Sequence, residues 1–160
     1  MILYHGGTDV VQEPKIILSE RGKDYGFGFY TTDIYEQAFK WAERQGRIRQ
    51  KQAILNLYEF DDDQAARNLN FKQFTEYSME WLEFVVNNRS HPQFQQEFDI
   101  VFGKIANDDV GETVQAVGDG LMPFDFALQR LSFMQTNNQY AFCTERSFAY
   151  LRFTGFQEME

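Results

Sequence analysis

Apolar and polar positions along this chain fall into short runs, each of which predicts one element. Ile2, Leu3 and Tyr4 predict an opening strand, and residues 15–18 (Lys-Ile-Ile-Leu) predict a second extended piece. Ile34, Ala38, Trp41 and Ala42 recur at helical spacing behind Asp33, with Glu36 three residues on, which predicts an N-cap pair and a helix turning Trp41 and Ala38 to one side. Residues 53–60 read as a strand ended by Asp61-Asp62-Asp63. Phe71, Phe74, Ser78, Trp81, Leu82 and Val85 predict an amphipathic helix over 71–88, its aromatic stripe serving as core. A strand follows over 98–105. Thr113, Val114 and Val117 predict a helix stopped by Gly118-Asp119-Gly120, and Pro123 opens another with Phe124, Ala127, Leu128 and Leu131 on one face. Residues 139–143 predict a strand, 145–150 a short helix and 152–157 a last strand. Strands and helices interleave without regular βα alternation, so the fold class is mixed α+β. No repeat, low-complexity tract or Pro/Gly/Ser-rich linker divides the chain, and one domain over 1–160 is expected.

Composition narrows the picture. A chain of 160 residues buries roughly 70% of its unfolded surface without a disulfide or metal staple. The single cysteine, Cys143, lies in an apolar stretch and reads as an inert buried thiol; with only two distant histidines, His5 and His91, no metal site is expected. The net charge of −9 argues against a broad surface for nucleic acid or anionic lipid. Arg44, Arg47, Arg49 and Lys51 cluster at the end of the first predicted helix, where cations favour the negative end of the helix dipole. No apolar run approaches the roughly 20 residues that span a bilayer, and the opening strand runs straight into a motif instead of a signal peptide, so a cytoplasmic protein is expected.

The candidate chemistry lies in two glycine-containing runs. Tyr4-His5-Gly6-Gly7 ends the opening strand, and Gly6 and Gly7 let the main chain approach a planar ligand group where a β-carbon would clash. Gly26-Phe27-Gly28-Phe29-Tyr30 forms a tight loop that delivers Tyr30 into a cleft, and Trp41, eleven positions on, offers a stacking face. Gly26 and Gly28 do not form a doubly wound dinucleotide fingerprint, because Thr31 occupies the third glycine position. In this order and spacing the set resembles the ADP-ribosyltransferase superfamily, on the histidine–tyrosine–glutamate side shared with poly-ADP-ribose polymerases, and more closely a bacterial family of small uncharacterised proteins assigned to it. The resemblance runs from His5 to Gln139 and implies an ADP-ribosyltransferase-like split mixed β-sheet with flanking helices. It implies NAD as substrate, with His5 on the adenosine ribose, the Gly6 backbone on the nicotinamide amide, Gly28 and Tyr30 in the second motif and Trp41 as a second stacking aromatic. In the third motif the glutamate position is held by Gln139, and Ala38 stands where polymerase relatives offer a serine.

These departures bear on activity. Cleaving the nicotinamide–ribose bond builds an oxocarbenium-like cation. Gln139 can bind the ribose hydroxyl but, as a neutral amide, cannot offset that charge. Three readings follow: mono-ADP-ribosyl transfer with His5, Tyr30 and Gln139 as the catalytic set, Glu145 reaching the site in place of Gln139, or a non-catalytic nucleotide- or partner-binding module. NAD glycohydrolysis, with water as acceptor, is a further alternative. Nothing in the sequence specifies the acceptor, and the acidic charge favours a protein over nucleic acid. Small relatives in the superfamily are often toxins, so the resemblance also implies an antitoxin partner.

Overall fold

A computed structural model describes residues 1–18, 23–105, 108–132 and 137–159. Its strands, in chain order, are β1 (Ile2–Gly7), β2 (Phe29–Thr31), β3 (Ala53–Phe60), β4 (Phe71–Gln73), β5 (Ile100–Lys104), β6 (Asn138–Phe142) and β7 (Leu151–Met159). The helices are α1 (Tyr35–Arg49), α2 (Asp62–Asn68), α3 (Met79–Ser90), α4 (Asp108–Gly118) and α5 (Phe124–Leu131), with a 3-10 helix over Glu145–Tyr150. The fold is α+β, as the irregular interleaving predicts. One sheet is antiparallel, in the order β1-β3-β7; the other runs β2-β6-β5-β4 and is antiparallel except for the parallel pair β4 and β5.

Alternation along the strands sorts side chains into layers. Leu3, Tyr58 and Phe60 from the first sheet meet Phe29, Ile100, Tyr140 and Phe142 from the second, so an aromatic-rich core lies between the sheets. Ala38, Ala42 and Leu55 pack α1 on the opposite face of the first sheet. Trp81, Leu82, Val85, Val114, Leu131 and Ala141 pack α3, α4 and α5 on the opposite face of the second.

Two expectations need correction. The helix over 71–88 is a strand followed by a helix: Phe71–Gln73 pairs with β5, and Ser78 caps α3 by accepting from the Trp81 N–H at 3.1 Å. Phe71 packs on Phe60 between the sheets while Phe74 packs on Tyr25 and Phe84 beneath α3, so their helical spacing is coincidental and each serves a different core. Asp33 does not cap α1. The N-cap is Ile34, whose N–H donates to Thr32 Oγ1, and Asp33 Oδ1 is buried without a hydrogen-bond partner. The aspartate run does more than end β3, since Asp61 caps α2, which the hydrophobic pattern missed because only Ala65 of that helix is buried. Residues 15–18 contribute one isolated bridge, Ile17 to Gly28.

Candidate active site

Among the described residues the two sheets are bridged by backbone hydrogen bonds at one point. Tyr4 and Thr32 exchange backbone hydrogen bonds of 2.8 and 2.9 Å, linking β1 to β2. In an antiparallel ladder successive residues turn their N–H and C=O groups to opposite sides. Because Tyr4 bonds toward β2, Leu3 and His5 bond toward β3, and Gly6 again turns its peptide groups toward β2. There the strands have parted. The carbonyl of Tyr30, which would face Gly6, instead accepts from the His5 ring at 2.7 Å. The Gly6 N–H and C=O therefore point to a fork between the sheets, a donor and an acceptor side by side with no backbone partner on β2 among the described residues.

His5 is held firmly at this fork. A carbonyl only accepts, so Nδ1 carries the proton and Nε2 is left as an acceptor, with no partner among the described residues. Burial holds the imidazole below its ordinary range, opposed by the bond to Tyr30 and reinforced by the nearby Lys23 charge, so the ring is neutral near pH 7. The ring stacks on Phe29 at 4.4 Å. The segment beyond it is fixed by Asn56, whose side chain donates to the Asp9 carbonyl at 3.0 Å and accepts from the Val11 N–H at 2.9 Å, and by Tyr58, whose hydroxyl donates to the Val11 carbonyl.

Gly6 and Gly28 are both required by close approach. A β-carbon on Gly6 would fall 2.3 Å from the Ala38 carbonyl oxygen, so its side-chain direction is filled by α1, and the residue is buried. Ala38 is buried beneath it and offers no hydroxyl. A β-carbon on Gly28 would lie 2.8 Å from the Phe142 carbonyl oxygen, which places this glycine against β6 and not at the fork.

Tyr30 and Gln139 share a face. Tyr30 pairs with Ala141 across β2 and β6, and Gln139 lies two residues along, on the same side of the sheet. The Tyr30 hydroxyl donates to the Gly26 carbonyl at 2.6 Å and accepts from the Tyr25 N–H at 3.1 Å, and burial raises its pKa well above the ordinary range. His5 touches Tyr30 through the main chain only, because its ring follows Phe29 toward the core between the sheets and the Tyr30 ring turns the other way. Trp41 stands apart on α1, 48% exposed, with the Arg44 guanidinium 5.8 Å from its ring and no aromatic ring packed on it among the described residues. Glu145 is exposed at the start of the 3-10 helix. Burial pushes the Cys143 thiol up to about 12, so it is not a nucleophile at neutral pH.

The residue that sequence reasoning missed is Asp24. It is 6% exposed, accepts from Gln139 Nε2 at 3.0 Å and from Arg89 Nε at 2.7 Å, and so brings a carboxylate against the amide that replaces one. Its only sequence signal is its place just before Tyr25 and the Gly-Phe-Gly run, where an aspartate reads as a turn residue. Two concavities of the surface, one beside Met1, Asp61 and Tyr150 and one beside Arg47, Gln52 and Met159, lie away from all these residues.

A protein family of unknown function, DUF3990, matches residues 1–153, and the chain belongs to that family. No curated protein and no solved structure matches it. No described helix is long and apolar enough to cross a membrane.

Proposed function

We propose that this protein is an NAD-dependent mono-ADP-ribosyltransferase whose substrate enters the fork between β1 and β2. The observation that supports the reading is the Gly6 peptide edge, turned by strand alternation toward β2 while the Tyr30 carbonyl opposite it accepts from the His5 ring instead. Gly6 would hold the nicotinamide carboxamide through its N–H and C=O. Neutral His5, with its tautomer fixed, would accept a ribose hydroxyl at Nε2. Trp41 supplies an exposed ring for stacking. In the reaction the bond from nicotinamide nitrogen to ribose C1′ breaks, its electron pair leaves with nicotinamide, and the acceptor's lone pair forms the new bond to C1′ as its proton is released. Gln139 would bind the ribose hydroxyl while the cation develops. Without a carboxylate at that position the chemistry is slow, because preorganised charge is usually the largest catalytic contribution. A protein acceptor and an antitoxin partner rest on the superfamily resemblance alone.

One observation favours a second reading, NAD binding without turnover: the Gln139 amide is already engaged by Asp24. Measuring nicotinamide release from NAD, with and without a cell extract, separates the two. Release in extract supports transfer, release in buffer alone supports glycohydrolysis, and bound NAD with no release supports the binding module.

A further inference from the structure

The buried pair Asp24 and Gln139 has a polarity that the chemistry of its atoms fixes. A carboxylate only accepts, so the Gln139 nitrogen must point at Asp24 Oδ2. The Tyr25 hydroxyl beside this amide donates to the Lys104 carbonyl at 2.7 Å and accepts from the Trp81 indole N–H at 3.0 Å. The Gln139 carbonyl oxygen is left without a partner among the described residues, on a side chain only 8% exposed.

We propose that Asp24 is the positioning residue of this site, locking the Gln139 amide so that its carbonyl oxygen, and not its nitrogen, is presented to the ribose hydroxyl of the substrate. The inference rests on the transferase reading and deepens it. Asp24 acts through geometry more than through its field, because Arg89, 2.7 Å away, offsets its charge over the distance to a bound ribose. Among the described residues, Tyr25, Tyr30 and Tyr77 also feel its charge, with Lys23 over the Tyr30 ring.

The pair also decides what a restored glutamate would do. In Gln139→Glu a carboxylate oxygen replaces a nitrogen that lies 3.0 Å from Asp24 Oδ2, and two carboxylates at that range cannot both ionise. Charge is gained at position 139 only if it is removed at position 24. The exchanged pair, Asp24→Asn with Gln139→Glu, restores the hydrogen bond with its polarity reversed and keeps a single carboxylate in the pair.

The test compares the native protein, Asp24→Asn, Gln139→Glu and the double exchange, reading melting temperature against pH and steady-state nicotinamide release from NAD. Asp24→Asn is expected to lower kcat roughly tenfold or more, the scale of losing one oriented polar group, with KM for NAD unchanged. Gln139→Glu should melt lower than the native protein at pH 8 and recover as pH falls and the pair takes up a proton. The double exchange should remove that pH dependence and release nicotinamide faster than either single variant. Native kcat in Asp24→Asn, or identical pH–stability profiles for Gln139→Glu and the double exchange, would overturn the proposal. If the stability coupling appears but none of the four proteins releases nicotinamide, the transferase reading falls and the positioning role falls with it, the pair being structural only.

Discussion

Gln37 and Asn138 exchange two hydrogen bonds: the Gln37 side-chain nitrogen donates to the Asn138 carbonyl at 2.9 Å, and the Asn138 N–H donates to Gln37 Oε1 at 3.2 Å. A side-chain amide on α1 thus pairs with the first peptide of β6 as a neighbouring strand would, tying the helix that carries Trp41 to the strand that carries Gln139. Gln37→Ala removes both bonds and leaves a half-buried peptide unpaired. We expect a loss of about 1–2 kcal/mol in denaturant unfolding, with Gln37→Glu, which sets a carboxylate oxygen against the Asn138 carbonyl, losing at least as much. Equal stability of all three proteins would show that water replaces the contact without cost.

Gly6 and Gly7 separate the demands of folding from those of the fork. An added β-carbon at Gly6 meets the Ala38 carbonyl at 2.3 Å and the Ala42 nitrogen at 3.0 Å, both backbone atoms that cannot swing aside. At Gly7 it meets the His5 ring alone, with Nε2 at 3.6 Å and Cδ2 at 4.0 Å. Gly6→Ala should therefore push α1 off β1 and cost about 1–3 kcal/mol, the usual range for overpacking. Gly7→Ala should leave stability within about 0.5 kcal/mol while crowding the His5 acceptor and weakening NAD binding. Unfolding curves together with calorimetry distinguish the two, and a Gly7→Ala protein with native affinity would remove His5 Nε2 from the site.

Much of this architecture was legible because period and punctuation agree. β3, the helix after Pro123, β6 and the last strand fall where alternation, helical spacing and glycine or proline stops coincide. The misreading at Phe71 arose where a three-residue strand and the following helix carry aromatics at spacings that imitate one helix, and only pairing with β5 distinguishes them. At the site, His5, Gly6 and Tyr30 were legible as glycine-bracketed motifs. Asp24 and Gln37 were not, because each gains its role from a partner distant in sequence: Asp24 from Arg89 and Gln139, Gln37 from Asn138. Local pattern holds no record of such contacts. The glycines were legible as positions of close approach, but the sequence could not say that at Gly6 the close neighbour in the side-chain direction is α1.

Asp99 is expected to contribute to the acid sensitivity of the fold. Arg146 donates to both of its oxygens, at 2.7 and 2.6 Å, and Thr144 and the Asn70 N–H add further bonds. The Arg146 hydrogen bonds are the largest cause holding the Asp99 carboxyl down, from 3.8 to about 2. A carboxyl depressed in the folded state contributes stability above its unfolded value and loses it as pH falls through the folded one, so this contribution should disappear between about pH 4 and pH 2. Arg146→Ala should lower stability at pH 7 and flatten the decline across that window. Arg146 is largely exposed, so added salt should shrink the difference. Parallel stability–pH curves for the two proteins would place the acid sensitivity elsewhere.

Trp41 gives the sharpest separation of binding from folding, because the chain's two tryptophans sit in opposite environments. Trp81 is fully buried, its indole N–H donating to Tyr25, whereas Trp41 is 48% exposed on α1. An exposed ring contributes little to stability, so Trp41→Ala should unfold within about 0.5 kcal/mol of the native protein. If the ring stacks on NAD at the fork, the same substitution should weaken binding by about 1 kcal/mol, roughly five- to tenfold in Kd. Fluorescence gives an independent reading, since stacking quenches only the exposed indole. NAD should dim the native emission and leave Trp41→Phe, which retains Trp81 alone, almost unchanged. Native affinity in Trp41→Ala, or equal quenching in Trp41→Phe, would place the nicotinamide ring away from α1 and leave Trp41 as a surface residue beside Arg44.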